Sequence, residues 1–250
     1  MEKLFTCAMD IGEQMLLSGA EVHRVEESIK RMCHAFGAKR IDVFIITSSM
    51  VVTFYTEDEK SFTQTRRITS STTDFEKLHK LNQLSRKICG ETMTEQQIRQ
   101  ELQEAGERKI YPFWMECLCY ALIAGAFTLF FGGNIAEMVV SFFLGIIVRF
   151  GVAFSEKAIT NKIFSKFLSA AIATFFAFLS VKFGWIENVD KVIIGNIMTL
   201  IPGIGLTNAL RDLFTGDSIA GLLRSIEAAL TALAIAAGYF LVAVLGGFAL

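Results

Sequence analysis

Charge is distributed so unevenly along this sequence that no single solvent suits the whole chain. Of its 49 Lys, Arg, Asp and Glu residues, 33 fall in the first 110 positions, which leaves 16 for the last 140. That sparse region holds apolar runs long enough to cross a bilayer core, so a water-facing domain is expected over 1–110 and a transmembrane domain over 111–250. A hydrophobic content of 52% with a mean hydropathy of +0.47 is too apolar for an ordinary soluble domain of this size. The formal net charge of −1 gives no footprint for nucleic acid, because phosphate binding needs clustered positive surface.

In the first region Leu4, Ala8, Ile11 and Met15 recur at helical spacing until Ser18-Gly19 stops the pattern. A second amphipathic helix follows, with Val22, Val25, Ile29, Met32 and Phe36 on one side, charged residues largely on the other, and Gly37 as its stop. From Arg40 the period changes. RIDVFIITSS, MVVTFYT and SFTQTRRI are rich in β-branched and aromatic residues, with EDEK as a hairpin loop, so a small sheet of about three strands is expected. Thr73 with Glu76 and Thr94 with Gln97 have capping-box spacing ahead of two further helices. The domain is therefore α+β.

After ERKIYP the solvent changes. Five spans are expected, at 113–131, 134–154, 167–183, 192–208 and 226–248, which makes the second domain a polytopic helical one with one helix broken at Pro-Gly. The basic residues Arg108, Lys109, Lys157, Lys162, Lys166, Arg211 and Arg224 all fall at ends that share one side, and the GGN turn and WIENVDK on the other. By the positive-inside rule the N-terminal domain is cytoplasmic and, after an odd number of crossings of the cell membrane, the C-terminus lies outside. MEKLFTCAMDIGEQM carries acids within its apolar pattern and is not a secretory signal.

The fourth span is the unusual one. Pro202-Gly203-Ile204-Gly205 interrupts it, with a proline that removes a backbone donor and two glycines that lower helix propensity. In lipid, non-helical backbone survives only where protein or a wet cavity covers it, so the break is a candidate site. If the helix restarts after Gly205, the free N–H groups of Ile204 to Thr207 and the positive helix end attract a carboxylate. Thr207, Asn208 and Arg211 follow, and at helical spacing Asn208, Arg211 and Asp212 share a face. Pro202, Gly203, Gly205, Thr207, Asn208 and Arg211 are thus the candidate solute-binding set, and Asp212, Asp217 and Glu116 the candidates for proton coupling. The competing account is a proline kink with Arg211 and Asp212 as a simple ion-paired cap.

The remaining polar residues have plainer explanations. Arg149, near one end of span two, is expected to snorkel to the interface; Glu137 suits a helix N-terminus, and Asn134 an N-cap. Cys7, Cys33, Cys89, Cys117 and Cys119 form no disulfide framework, and Cys117 and Cys119 point to different faces of one helix. Glu21, His23, Glu26 and Glu27 form the wet face of an amphipathic helix. The sequence has no Gly-rich phosphate loop, H-E-x-x-H or nucleophile elbow, so no enzyme activity, cofactor or metal is expected.

SGAEVHRVEESIKRMC at Ser18 to Cys33, LFFGGN at Leu129 to Asn134, and PGIGLTNALRDLFTGDSIAGLLR at Pro202 to Arg224 resemble the threonine/serine exporter (ThrE-like) family over nearly the whole chain. The resemblance implies a cytoplasmic domain followed by five spans. It further implies the larger subunit of a two-subunit branch, linked to export of a succinate-like dicarboxylate and in need of a second small membrane subunit, hence a hetero-oligomer. The expectation is a secondary transporter subunit exporting a small organic acid or amino acid (dicarboxylate, threonine or serine). With no ATP-binding motif, an ion gradient would drive it. The alternative is a membrane-anchored sensor or hydrolase acting through the N-terminal domain.

Overall fold

The computed structural model describes the chain except for residues 59, 70, 71, 108–110, 159, 160 and 247–250. Arg108 and Lys109, Glu59 of the hairpin loop and Phe248 at the end of the fifth span therefore lie outside the described residues. Two compact units are present: Met1–Lys109 with Gly205–Ser225, and Ile110–Ile204 with Ile226–Leu250.

The first unit opens with helices α1 (Glu2–Leu17) and α2 (Val22–Ala35), continues through strands β1 (Arg40–Ile46), β2 (Ser49–Tyr55) and β3 (Ser61–Arg67), and then forms α3 (Phe75–Gly90) and α4 (Glu95–Gly106). The strands make one antiparallel sheet in the order β1-β2-β3, with Ile46 opposite Ser49 and Tyr55 opposite Ser61 at the two turns. Met50, Val52 and Phe54 alternate along β2 and are buried with Phe5, Ile11, Met15, Ile29 and Met32 of the first two helices. That is the period-2 stripe of a strand meeting the 3.6-residue stripe of two helices, and it makes one core. The box of Thr94 and Gln97 caps α4 as its spacing implies. At α3 the cap is Asp74 and not Thr73, its carboxylate accepting from the Lys77 N–H at 3.0 Å. An ionised oxygen at that position outcompetes a hydroxyl one residue earlier.

The second unit holds α5 (Phe113–Phe130), α6 (Ile135–Ala158), α7 (Lys162–Lys182), α8 (Val189–Ile197) and the greater part of α10 (Ser218–Leu245). Among the described residues α5, α6, α7 and α10 are long and apolar enough to cross a membrane. Small residues face inward on α5 (Ala121, Ala124, Gly125) and on α7 (Ala170, Ala173, Ala177), while Leu122, Phe143, Phe154, Phe175, Leu233 and Phe240 point outward. Small faces let helix backbones approach where lipid supplies no hydrophobic drive.

The segment expected as a fourth crossing is divided. Its helix α8 ends at Ile197, residues 198–202 are irregular, and α9 (Gly203–Thr215) begins directly after Pro202. Nine residues of α8 rise only about 13 Å, less than half a hydrocarbon core of about 30 Å. Four helices long and apolar enough to cross a membrane are thus present among the described residues, and the segment expected as a fourth span, broken at Pro-Gly, is divided between α8 and α9.

Candidate functional site

The α9 helix restarts at Gly203, two residues earlier than the glycine pattern suggests, because a proline is well placed just before a helix and glycine is tolerated in its first turn. The positive helix end therefore sits nearer the break, at Gly203 to Gly205, and the Gly203 N–H already donates to the Ile201 carbonyl at 2.9 Å. Pro202 is half-buried; Gly203, Gly205 and Thr207 are exposed.

The shared face of Asn208, Arg211 and Asp212 is real, and it meets a specific partner within the first unit, the turn between α1 and α2. Asn208 Nδ2 donates to the Gly19 carbonyl at 3.3 Å, and Arg211 pairs with Glu21. Asp212, fully buried, accepts from the Val22 N–H at 3.3 Å. Val22 is the first residue of α2, whose own N-cap, Glu21, makes no side-chain capping bond. A carboxylate from 190 residues away thus satisfies an orphan donor and the positive end of that helix.

Arg224 completes the cluster. Its Nη1 lies 3.0 Å from Asp212 Oδ2, and its Nη2 donates to the Ala20 carbonyl at 2.9 Å. Burial pushes the Asp212 carboxyl above its ordinary value, with the Arg224 charge and the Val22 N–H pulling against that shift. The α9–α10 corner is built to hold these groups. Asp217 N–H bonds the Asp212 carbonyl at 2.9 Å across the turn at Gly216. Gly221 lies so close to α9 that a Cβ there would come within 2.8 Å of Leu213 N and 2.9 Å of the Ala209 carbonyl. On the opposite partner, Gly19 has φ of +88°, a conformation that glycine adopts without strain, and it turns the chain so that the Gly19 and Ala20 carbonyls face the cluster.

Asp217 is half-buried at the start of α10, and its Oδ2 has no hydrogen-bond partner among the described residues. Glu116 belongs to the second unit and pairs with Arg149 there, with Nε to Oε2 at 2.8 Å. Arg149, expected to snorkel, is engaged by this acid on the facing helix. Its side chain is 14% exposed against 38% for Glu116, so the cation is the inner partner. An acid on the facing helix removes the reason for the guanidinium to reach out.

Two further polar assemblies lie in the second unit, outside the candidate set. Thr128 Oγ1 donates to Ser141 Oγ at 2.7 Å, and Asn196 Nδ2 donates to the same oxygen at 2.8 Å, joining α5, α6 and α8 in the interior of the second unit. Glu137, also buried, forms a reciprocal cap with Asn134 at 2.9 Å both ways and accepts from Asn188 N–H and Nδ2 at 3.0 and 2.8 Å. The helix-end role of Glu137 and Asn134 was legible in their positions; the Asn188 partner was not, since 51 residues separate them.

These features define a polytopic helical membrane protein with an α+β unit to which the corner between α9 and α10 is tied by buried ionic contacts. Residues 6–246 match the family described as "Putative threonine/serine exporter", and the chain belongs to that family. It is 24% identical to the "Threonine/serine exporter" of Corynebacterium glutamicum over 240 residues, 92% of this chain and 49% of that protein. The "Probable threonine/serine exporter" of Mycobacterium tuberculosis is 24% identical over 225 residues, 89% of this chain and 42% of the relative. The chain thus spans about half the length of the curated relatives it matches. No solved structure matches it. The two longest segments that carry the resemblance, around Gly19 and around Asp212, are the two that touch.

Proposed function

We propose that this exporter-family chain is one subunit of a secondary transporter that moves threonine, serine or a succinate-like dicarboxylate out of the cell, coupled to protons. A second membrane subunit supplies the remainder of the pathway. The partner is supported by the general architecture of secondary transporters, in which alternating access is commonly built from two related halves. In this reading α8 and the segment to Asn208 form the fourth of five crossings, with the N-terminus cytoplasmic and the C-terminus outside.

The observation that carries the site assignment is the helix end exposed at Gly203 to Gly205 next to a polar set already engaged with a carboxylate, Glu21 on Arg211. The solute carboxylate meets that helix end at Pro202, Gly203 and Gly205, beside Thr207. It then exchanges with the Gly19 carbonyl and the Glu21 carboxylate for Asn208 and Arg211. Asp212, Asp217 and Glu116 are the residues proposed to take up protons during the cycle.

The test is uptake of labelled threonine and succinate into inverted vesicles carrying the full chain and its membrane partner at matched expression. Asn208→Ala is expected to weaken apparent affinity roughly ten- to a hundredfold, the scale of one hydrogen bond to a charged group. Pro202→Ala, which permits a more continuous helix and draws the helix end away from the solute, is expected to lower transport although no side-chain ligand is lost. Wild-type affinity and rate in both variants would place the solute elsewhere.

A second reading has one observation on its side. A cleft of about 570 Å³ in the first unit is lined by Asp10, Glu13, Gln14, Leu102, Gln103, Gly106 and Glu107, a possible seat for a sensed metabolite. Its inner acids are already engaged, Asp10 with Arg66 at 3.1 Å and Glu13 with Arg66 at 3.4 Å, which leaves transport the better-supported function.

A further inference from the structure

We propose that Arg149 and Lys166, with Tyr120 against the guanidinium, form a carboxylate-binding station inside the second unit, separate from the Pro202 to Arg211 segment. The proposal rests on the exporter reading, since it supplies a second contact for the same class of solute.

Arg149 is committed on one edge only. Its Nε and Nη2 both go to Glu116 Oε2, while Nη1 is buried and has no hydrogen-bond partner among the described residues. A guanidinium carries five N–H donors in a fixed fork, so the end formed by the two terminal nitrogens keeps donors that nothing among the described residues satisfies. The Phe113 ring, 5.0 Å from the guanidinium carbon, and the Tyr120 ring, at 5.7 Å, hold the cation's position. An unpaired donor on a buried charge is costly, and a ligand carboxylate would satisfy it.

A second cation stands nearby. Lys166, half-buried near the start of α7, lies within electrostatic reach of Arg149 and of Glu156. Glu116 is half-open and Glu156 exposed, so the two cations are the inner members of the cluster. A carboxylate placed on the free end of Arg149 meets them from the buried side. Intramembrane ionisable clusters of this kind mark solute or ion pathways more often than they mark packing.

The backbone makes the station rigid. A Cβ on Gly145 would lie 2.7 Å from the Tyr120 carbonyl and 2.8 Å from Ala121 Cα, so α5 and α6 touch backbone to backbone there. Arg149 is one turn from Gly145 on the same face, and Glu116 one turn from Tyr120. Val148, Val152 and Ala170 pack with Tyr120 in one core cluster, which brings α7 to the same place. Both solute classes, amino acid and dicarboxylate, carry the required group.

The experiment is direct binding of succinate and of L-threonine to the purified full chain in detergent micelles, alongside its melting temperature. Wild-type chain is expected to bind at least one of them. The double variant Glu116→Gln with Arg149→Gln removes the charges as a pair and keeps an amide contact, so it is expected to fold while binding roughly ten- to a hundredfold more weakly. Lys166→Gln leaves the α5–α6 pair intact and is expected to weaken binding several-fold, so the test survives even if the double variant does not fold. Wild-type affinity in Lys166→Gln and in any folded double variant overturns the station and leaves the exporter reading standing. Failure of the wild-type chain to bind either solute also overturns it. The exporter reading itself falls only if the wild-type chain with its partner transports neither solute.

Discussion

The Asp212–Arg224 pair of the first unit and the Glu116–Arg149 pair of the second are built in opposite ways. In the first unit the acid is the inner partner: Asp212 is 0% exposed and Arg224 15%. Asp212 also receives the Val22 N–H, and Arg224 the Ala20 carbonyl, so both ions have uses beyond each other. In the second unit the base is the inner partner, held by two aromatic rings and one acid, with donors to spare. The first pair closes a contact between segments nearly two hundred residues apart; the second joins neighbouring helices. Asp212 Oδ2 and Arg224 Nη1 make no hydrogen bond among the described residues, and neither does Arg149 Nη1; what separates the pairs is that both ions of the first also hold backbone groups, so it reads as architecture and the second as a place for a ligand.

The comparison breaks most readily at Asp212. Asp212→Ala strands Arg224 and uncaps α2, and is expected to destabilise the full chain by about 3–5 kcal/mol in thermal or denaturant unfolding. A loss below about 1 kcal/mol would mean that the contact is incidental. Asp212→Asn keeps an acceptor for the Val22 N–H and is expected to cost less.

Glu137 gives the matching test in the second unit. Glu137→Ala leaves the Asn134 and Asn188 N–H groups and the Asn188 amide without their acceptor, an expected loss of about 2–4 kcal/mol in detergent unfolding. Arg211→Ala sharpens the contrast from the other end. Its pair with Glu21 is 55% exposed on the arginine side, so the expected stability change is under about 1 kcal/mol while transport falls. Equal stability losses in Arg211→Ala and Asp212→Ala would erase the distinction between an exchangeable contact and a fixed one.

The smallest effect is one of pH. Burial pushes the Glu26 carboxyl above its ordinary value, with Lys30 opposing and Asp217 adding to the shift. A carboxyl whose folded pKa is raised holds its proton more readily in the folded state. Its contribution to stability is therefore present at low pH and is lost as pH rises through the raised value. Asp212 shifts in the same direction. Acidification from neutral toward the ordinary carboxylate range is expected to stabilise the first unit slightly, and Glu26→Gln to flatten that part of the profile. Glu95, held below its ordinary value by Arg99, works the other way at lower pH. An unchanged slope in Glu26→Gln removes the assignment.

Periodicity and hydropathy determined what depends on residues close together in the chain. The stripe of Val22, Val25, Ile29 and Met32, the three strands, the cap at Thr94, four apolar helices and the interruption at Pro202 each follow from a local pattern that one element can satisfy alone. The common face of Asn208, Arg211 and Asp212 was local too, being one helix turn. What that face meets was not. Only the tertiary structure brought Gly19, Ala20 and Val22 to it and added Arg224, because a hydrogen bond across 190 residues leaves no periodic trace in sequence. The same holds for Arg149, whose position near a helix end argued for snorkelling until a facing acid and two rings changed the balance. Local spacing fixes which side chains share a face; the energy of a buried charge depends on what the fold puts opposite that face.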